Sequence, residues 1–177
     1  MRWMWIDRFV EFVSGERAVA IKNVSIAEEP LDGYAPGIAV MPNSLIVEGL
    51  AQTGGLLVGE AKRFEERVVL AKLGKAVFHQ PAVAGDTLTY TAIVEDIQDD
   101  GAIVRAESRI GDQPQADVEL FFAHLDERFP GKELFNPEDF LMMLRVFSLY
   151  EVGRKPDGSP LDIPERYLEA ERLAGQR

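Results

Sequence analysis

Cysteine is absent from this 177-residue chain. Disulfides and thiolate metal sites are thereby excluded, and a reducing compartment is compatible with the composition. Histidine is nearly absent. Only His79 and His124 could supply an imidazole, which argues against a multi-histidine metal centre. Neither a metal nor a cofactor is expected. Positive charge is also in deficit, with 19 Lys and Arg against 30 Asp and Glu and a formal net charge of −11. Such a field disfavours nucleic acid and anionic membrane surfaces, so no nucleic-acid partner is expected. No apolar run reaches the length of a membrane span. Residues 1–13 alternate apolar and charged side chains and do not build the core of a signal peptide. A cytoplasmic protein is the expectation.

What is present is globular. Apolar residues make up 46% of the chain, enough for one domain with a sizeable core, which argues against disorder. Residues 5–13 and 17–26 read as a hairpin turned at Ser14-Gly15-Glu16. Residues 31–42 hold Gly33, Pro36, Gly37 and Pro42 and predict a structured loop. Further strands are predicted over 68–78, in one or two pieces around Gly74, and over 87–97, 102–110 and 116–125, with Asp99-Asp100-Gly101 as a hairpin turn. Composition shifts after Asp126. Asn136-Pro137-Glu138-Asp139 is a helix start, with an N-cap, a proline and acids in the first turn. That helix is predicted to run to Tyr150 and a final charged one over 164–173. The boundaries are therefore a domain at 1–126 and a helical extension at 127–177.

The stretch that carries chemistry is the helix predicted over 43–64. Pro42 stands at its mouth, where a missing N–H costs nothing. Leu45, Ile46, Val47, Leu50, Ala51, Leu56, Leu57, Val58 and Ala61 leave little polar face until Glu60, Lys62 and Arg63, the pattern of a buried helix. Gly49, Gly54, Gly55 and Gly59 weaken it by roughly 1 kcal/mol each relative to Ala, which points to close approach of a sheet or a ligand. Within this run stands one carboxylate, Glu48. A carboxylate there is costly unless it is paired, protonated or in use. It either serves chemistry or bonds to Gln52, one turn on, or to a backbone N–H.

Taken in order, Ile6-Asp7-Arg8, the strand Ala18-Val19-Ala20-Ile21-Lys22-Asn23-Val24, Gly33-x-x-Pro36-Gly37, Val40-Met41-Pro42, Leu45-Ile46-Val47-Glu48, Ala51-Gln52, then Phe78, Pro81 and Gly85-Asp86-Thr87-Leu88 resemble the β-hydroxyacyl-acyl-carrier-protein dehydratase family. The resemblance covers residues 5–125. It implies an α+β hotdog fold, a long central helix wrapped by an antiparallel sheet, here with the helical C-terminal extension added. It also implies a dimer, with a homologous or identical hotdog subunit, and acyl tunnels at the interface. The expected ligand is an acyl thioester on acyl-carrier protein or coenzyme A, within fatty-acid or polyketide metabolism. In the family a histidine from Gly-His-Phe-Pro-Gly pairs with a carboxylate fourteen positions later. Here the loop reads Gly33-Tyr34-Ala35-Pro36-Gly37, and Glu48 stands fourteen positions after Tyr34. The acid is in register and the base is replaced. The resemblance further implies substrate contacts from Gly37, Met41, Pro42, Asn43 (where the family commonly has glycine), Gln52 and Phe78.

Dehydration of a 3-hydroxyacyl thioester needs a base for the proton beside the carbonyl and an acid for the departing hydroxyl. An imidazole with a pKa near 6.5 suits the first task at neutral pH, and a phenol near 10 does not. Tyr34 is then either a substituted catalytic group or an aromatic plug. Three readings follow: a dehydratase with weak or altered catalysis, a non-catalytic acyl-thioester-binding subunit supplying half a site to an active homologue, or a thioesterase. His79 is read as a strand-end residue or a replacement base, and His124 as a core or interface residue. Helix 137–150 is plain packing, or a lid with Met142 and Met143 as lining. Lys62, Arg63, Arg67, Lys72 and Lys75 form a carrier-docking patch or, with Glu60, Glu65 and Glu66, a mixed-charge face.

Overall fold

A computed structural model describes residues 3–31, 37–125 and 135–175. Its centre is helix α1, Asn43–Ala61, whose Ile46, Leu50, Leu57 and Val58 are fully buried. Strands β1 (Arg8–Val13) and β2 (Arg17–Asn23) form the N-terminal hairpin, and β3 (Arg67–Phe78), β4 (Thr87–Ile97), β5 (Gly101–Ile110) and β6 (Gln113–Leu125) follow α1. The extension holds α2 (Pro137–Val146), α3 (Leu149–Val152), a two-residue strand β7 (Gly153–Arg154) and α4 (Glu165–Ala174). The sheet order is β3-β6-β5-β4-β2-β1-β7. Its neighbours are antiparallel except β7, which runs parallel to β1. This is the hotdog arrangement, with a seventh strand, β7, that the extension contributes.

Alternation makes the inner face. Leu88, Tyr90 and Ala92 of β4, Val104, Ala106 and Ser108 of β5, and Val118, Leu120 and Phe122 of β6 are all buried. Every second residue of a strand points to the same side, and that side faces α1. The β4–β5 register sets Ala92 opposite Ala106 and Val94 opposite Val104, as the Asp99-Asp100-Gly101 turn predicts.

Two boundaries differ from the expectation. Helix α1 stops at Ala61 and not near Phe64, because Arg63 and Phe64 adopt left-handed backbone angles (φ 53° and 54°). Residues 67–78 are one strand, one of the two forms expected, with register shifts between Leu70 and Lys72 and, around Gly74, between Leu73 and Lys75. The helix begun by the Asn136 cap stops at Val146. Ser148 turns left-handed (φ 56°) and a separate short helix follows. The cap itself is as predicted: Glu138 N–H donates to the Asn136 side chain at 3.0 Å. Among the described residues no helix is long and apolar enough to cross a membrane.

Candidate functional site

One face of α1 borders a cavity of about 790 Å³. Glu48, Gln52, Gly55, Leu56 and Gly59 line it, at the three- and four-residue spacings that place side chains in a row along a helix. Its volume falls within the roughly 300–1,000 Å³ of small-molecule sites.

Glu48 is half-buried at one end of this row, not deep in the core as its apolar neighbours suggest. Its Oε1 accepts from Gln52 Nε2 at 2.9 Å. The amide of Gln52 is fixed from the other side by the N-terminal segment. Trp5 N–H donates to Gln52 Oε1 at 2.8 Å, and Gln52 Nε2 also donates to the carbonyl of Trp3 at 3.0 Å. With its oxygen already engaged by a backbone N–H, the amide can only donate toward Glu48. A carboxylate so positioned can accept a proton, or, protonated, give one to a leaving oxygen.

The opposite end of the row is aromatic. The rings of Phe64 and Phe140 stand 5.1 Å apart, those of Phe140 and Tyr167 5.6 Å, and those of Phe135 and Phe140 5.0 Å. Separations of this kind are ordinary for packed rings. Arg166 ties the cluster to α1. Its Nη2 donates to the carbonyls of Arg63, at 2.8 Å, and Phe64, and its guanidinium lies 4.7 Å from the Tyr167 ring centre.

With this geometry in place, the comparison with known families is decisive: the profile described as "FabA-like domain" matches residues 2–112. The chain belongs to the hotdog dehydratase family. It is 35% identical over 120 residues to the 3-hydroxyacyl-[acyl-carrier-protein] dehydratase FabZ of Oenococcus oeni, covering 67% of this chain and 86% of that one. It is 39% identical over 110 residues to FabZ of Koribacter versatilis, covering 61% and 70%. Among solved structures, the dehydratase heterocomplex ApeI:P from Xenorhabdus doucetiae superposes with a TM-score of 0.60 at 13% identity, over 71% of this chain and 86% of that one. That likeness is one of fold.

The dehydratase-family residues expected at the site are distributed unevenly. Glu48 and Gln52 meet and face the cavity. Tyr34 lies outside the described residues. Gly37 is exposed with φ 80°. Met41 is fully buried, its N–H bonded to the carbonyl of Ala82 at 2.8 Å. Pro42 caps α1, its carbonyl accepting from Leu45 and Ile46, and Asn43 opens the helix half-buried. Phe78 ends β3 opposite Ala116, and it does not line the cavity.

The two histidines have carboxylate neighbours. His79 Nε2 lies 2.6 Å from Asp117 Oδ2 in an exposed pair between β3 and β6. His124 is buried in the core with Nδ1 2.8 Å from Glu66 Oε2. Lys62 is 3.9 Å from Asp99 and Lys72 sits over the Phe121 ring. Among the described residues no group of three or more His, Asp or Glu could hold a metal.

Sequence reasoning missed the aromatic wall. Phe64, Phe140 and Tyr167 come from three separate segments, and no local pattern joins them. Two signals were present. The apolar face of helix 137–146 demanded a cover, and Tyr167 is the lone aromatic of a charged helix.

Proposed function

We propose that this chain binds 3-hydroxyacyl thioesters of fatty-acid metabolism, on acyl-carrier protein or coenzyme A, in the cavity beside Glu48, and dehydrates them weakly in a cytoplasmic setting. The observation that carries this reading is Glu48 itself. The resemblance expects the family's acid at this position, and Glu48 is held by Gln52 and faces a cavity large enough for an acyl group. In the reaction a base takes the proton beside the carbonyl. That electron pair forms the new double bond, and the carbon–oxygen bond breaks as Glu48 protonates the hydroxyl, releasing water and a trans-2-enoyl thioester.

The weak step is proton abstraction. Tyr34 occupies the register of the family's imidazole, and losing a well-matched positioned base forfeits roughly 10²–10⁴-fold in rate. The sheet ends in β3, twelve residues long, with Leu70 and Leu73 each about two-fifths exposed. An edge that no described strand pairs takes a second strand. The working unit is accordingly a pair of hotdog subunits joined along β3, either identical or related. The Tyr34 substitution favours a second reading, in which a histidine-bearing relative completes the site.

The test is to incubate the pure protein with a 3-hydroxyacyl thioester and follow the conjugated double bond in the ultraviolet. Slow turnover is expected, abolished in Glu48→Gln and raised at least tenfold in Tyr34→His. Inertness alone with activity on mixing with a histidine-bearing homologue selects the second reading. Failure to bind any 3-hydroxyacyl thioester overturns both.

A further inference from the structure

The family match ends at residue 112, yet much of the cavity wall lies beyond it. Phe135, Phe140, Met143, Phe147 and Tyr167 all border the space that Glu48 borders from α1. Along α1 the cavity runs from Glu48 to Gly59, eleven residues apart, or about 16 Å at 1.5 Å per residue. At Gly59 it meets an obstruction. A Cβ on Gly59 would lie 3.0 Å from the Phe64 ring, so that ring already presses on the helix backbone. Phe140 packs edge-on against Phe64, and Tyr167 packs against Phe140. Phe140 and Tyr167 are 7% and 6% exposed, so they are packed into the wall at this end, with the more exposed Phe135 stacked on Phe140.

We propose that the C-terminal extension is the end wall of the acyl cavity, and that Phe140 sets the longest chain the cavity accepts. The inference rests on the reading that the cavity takes an acyl thioester with its reacting carbons at Glu48. A chain with carbon–carbon bonds of about 1.5 Å advances by roughly 1.3 Å per carbon, so 16 Å holds about twelve carbons. Within that span each buried methylene tightens binding by roughly three- to fourfold. Beyond it the next carbon meets the Phe140–Phe64 pair, and the gain stops. Met143 lines the cavity from the same helix as Phe140 and is half-buried. A larger side chain there shortens the usable length.

The experiment is calorimetric titration of the full chain with straight-chain 3-hydroxyacyl-coenzyme A thioesters from four to eighteen carbons. Affinity is expected to climb to about twelve carbons and then level or fall. Phe140→Ala should move that break to longer chains and raise the ratio of sixteen- to twelve-carbon affinity at least tenfold. Met143→Trp should move the break the other way and lower the ratio of twelve- to eight-carbon affinity at least tenfold. Thermal melts establish that each variant is folded. If Phe140→Ala does not fold, Met143→Trp carries the test. Wild-type binding without a length limit, or folded variants whose break does not move, overturns the role of the extension and leaves the Glu48 reading standing. Absence of binding at every length overturns the Glu48 reading itself.

Discussion

Glu60 is a carboxylate that folding removes from water. It is 7% exposed, and burial raises its pKa above the ordinary 4.5. A hydrogen bond from Ser14 and the charges of Arg63 and Lys155 pull the other way and do not cancel that effect. Its Oε2 is buried with no hydrogen-bond partner among the described residues. The folded state therefore holds this proton more tightly than the unfolded one. Where the native state binds more protons, stability falls as pH rises. The contribution of Glu60 is complete below pH 4.5 and is lost as pH climbs through the raised folded value. Glu60→Gln should flatten that decline and stabilise the protein at pH 8 by about 1 kcal/mol or more, measured as urea unfolding midpoints from pH 4 to 8. A variant that follows the wild-type slope would remove Glu60 as its source. Glu48 was legible in the sequence because a single acid interrupts an apolar run. Glu60 was not, because Glu60, Lys62 and Arg63 together look like a solvated helix end. What acts on Glu60 comes from afar: Ser14 in the first turn hydrogen-bonds to it, and the charge of Lys155 in the extension reaches it.

Helix α1 depends on contacts at both ends that local pattern does not reveal. A Cβ at Gly49 would lie 2.5 Å from the Tyr90 ring and 2.7 Å from the carbonyl of Trp5. Gly49→Ala, which improves helix propensity, should therefore destabilise the protein by about 1–3 kcal/mol through overpacking, read as a lower thermal midpoint. The close approach was expected from the glycines, but the partner could be named only once β4 was folded over the helix. At the other end the left-handed pair Arg63–Phe64 stops α1 without a glycine or proline to announce it, which is why the helix was expected to run three residues further. Arg166, more than a hundred residues away, holds that corner through two carbonyls. Arg166→Ala should cost about 1 kcal/mol and raise amide exchange in α4. Arg166→Lys should recover only part, since an ammonium lacks the planar fork. The hairpins were read more accurately, because Asp99-Asp100-Gly101 and Ser14-Gly15-Glu16 carry their turn geometry in a few adjacent residues. The stop at Ser148 has no such signal, and the structure shows the break in helix 137–150 without a sequence cue for it.

At the scale of the whole molecule, the two margins of the sheet are unequal. At β3 the margin is long and, among the described residues, no strand pairs with its outer side, where Leu70 and Leu73 are about two-fifths exposed. If subunits pair along β3 as proposed, Leu70→Glu combined with Leu73→Glu should halve the mass seen in sedimentation while leaving the circular dichroism of the fold intact. Persistence of the larger species would move the subunit contact elsewhere. At the β1 margin, backbone groups are already engaged by the extension. Phe9 N–H donates to the carbonyl of Phe147 and Ser14 N–H to that of Arg154, while Gly153 and Arg154 run beside Phe12 and Val13. A ribbon that can add a neighbour on one side only stops growing after a single addition. The C-terminal segment thus covers the β1 margin. If subunits pair along β3 as proposed, this covering limits strand-by-strand joining to a closed pair and leaves no second edge from which an open-ended polymer could grow.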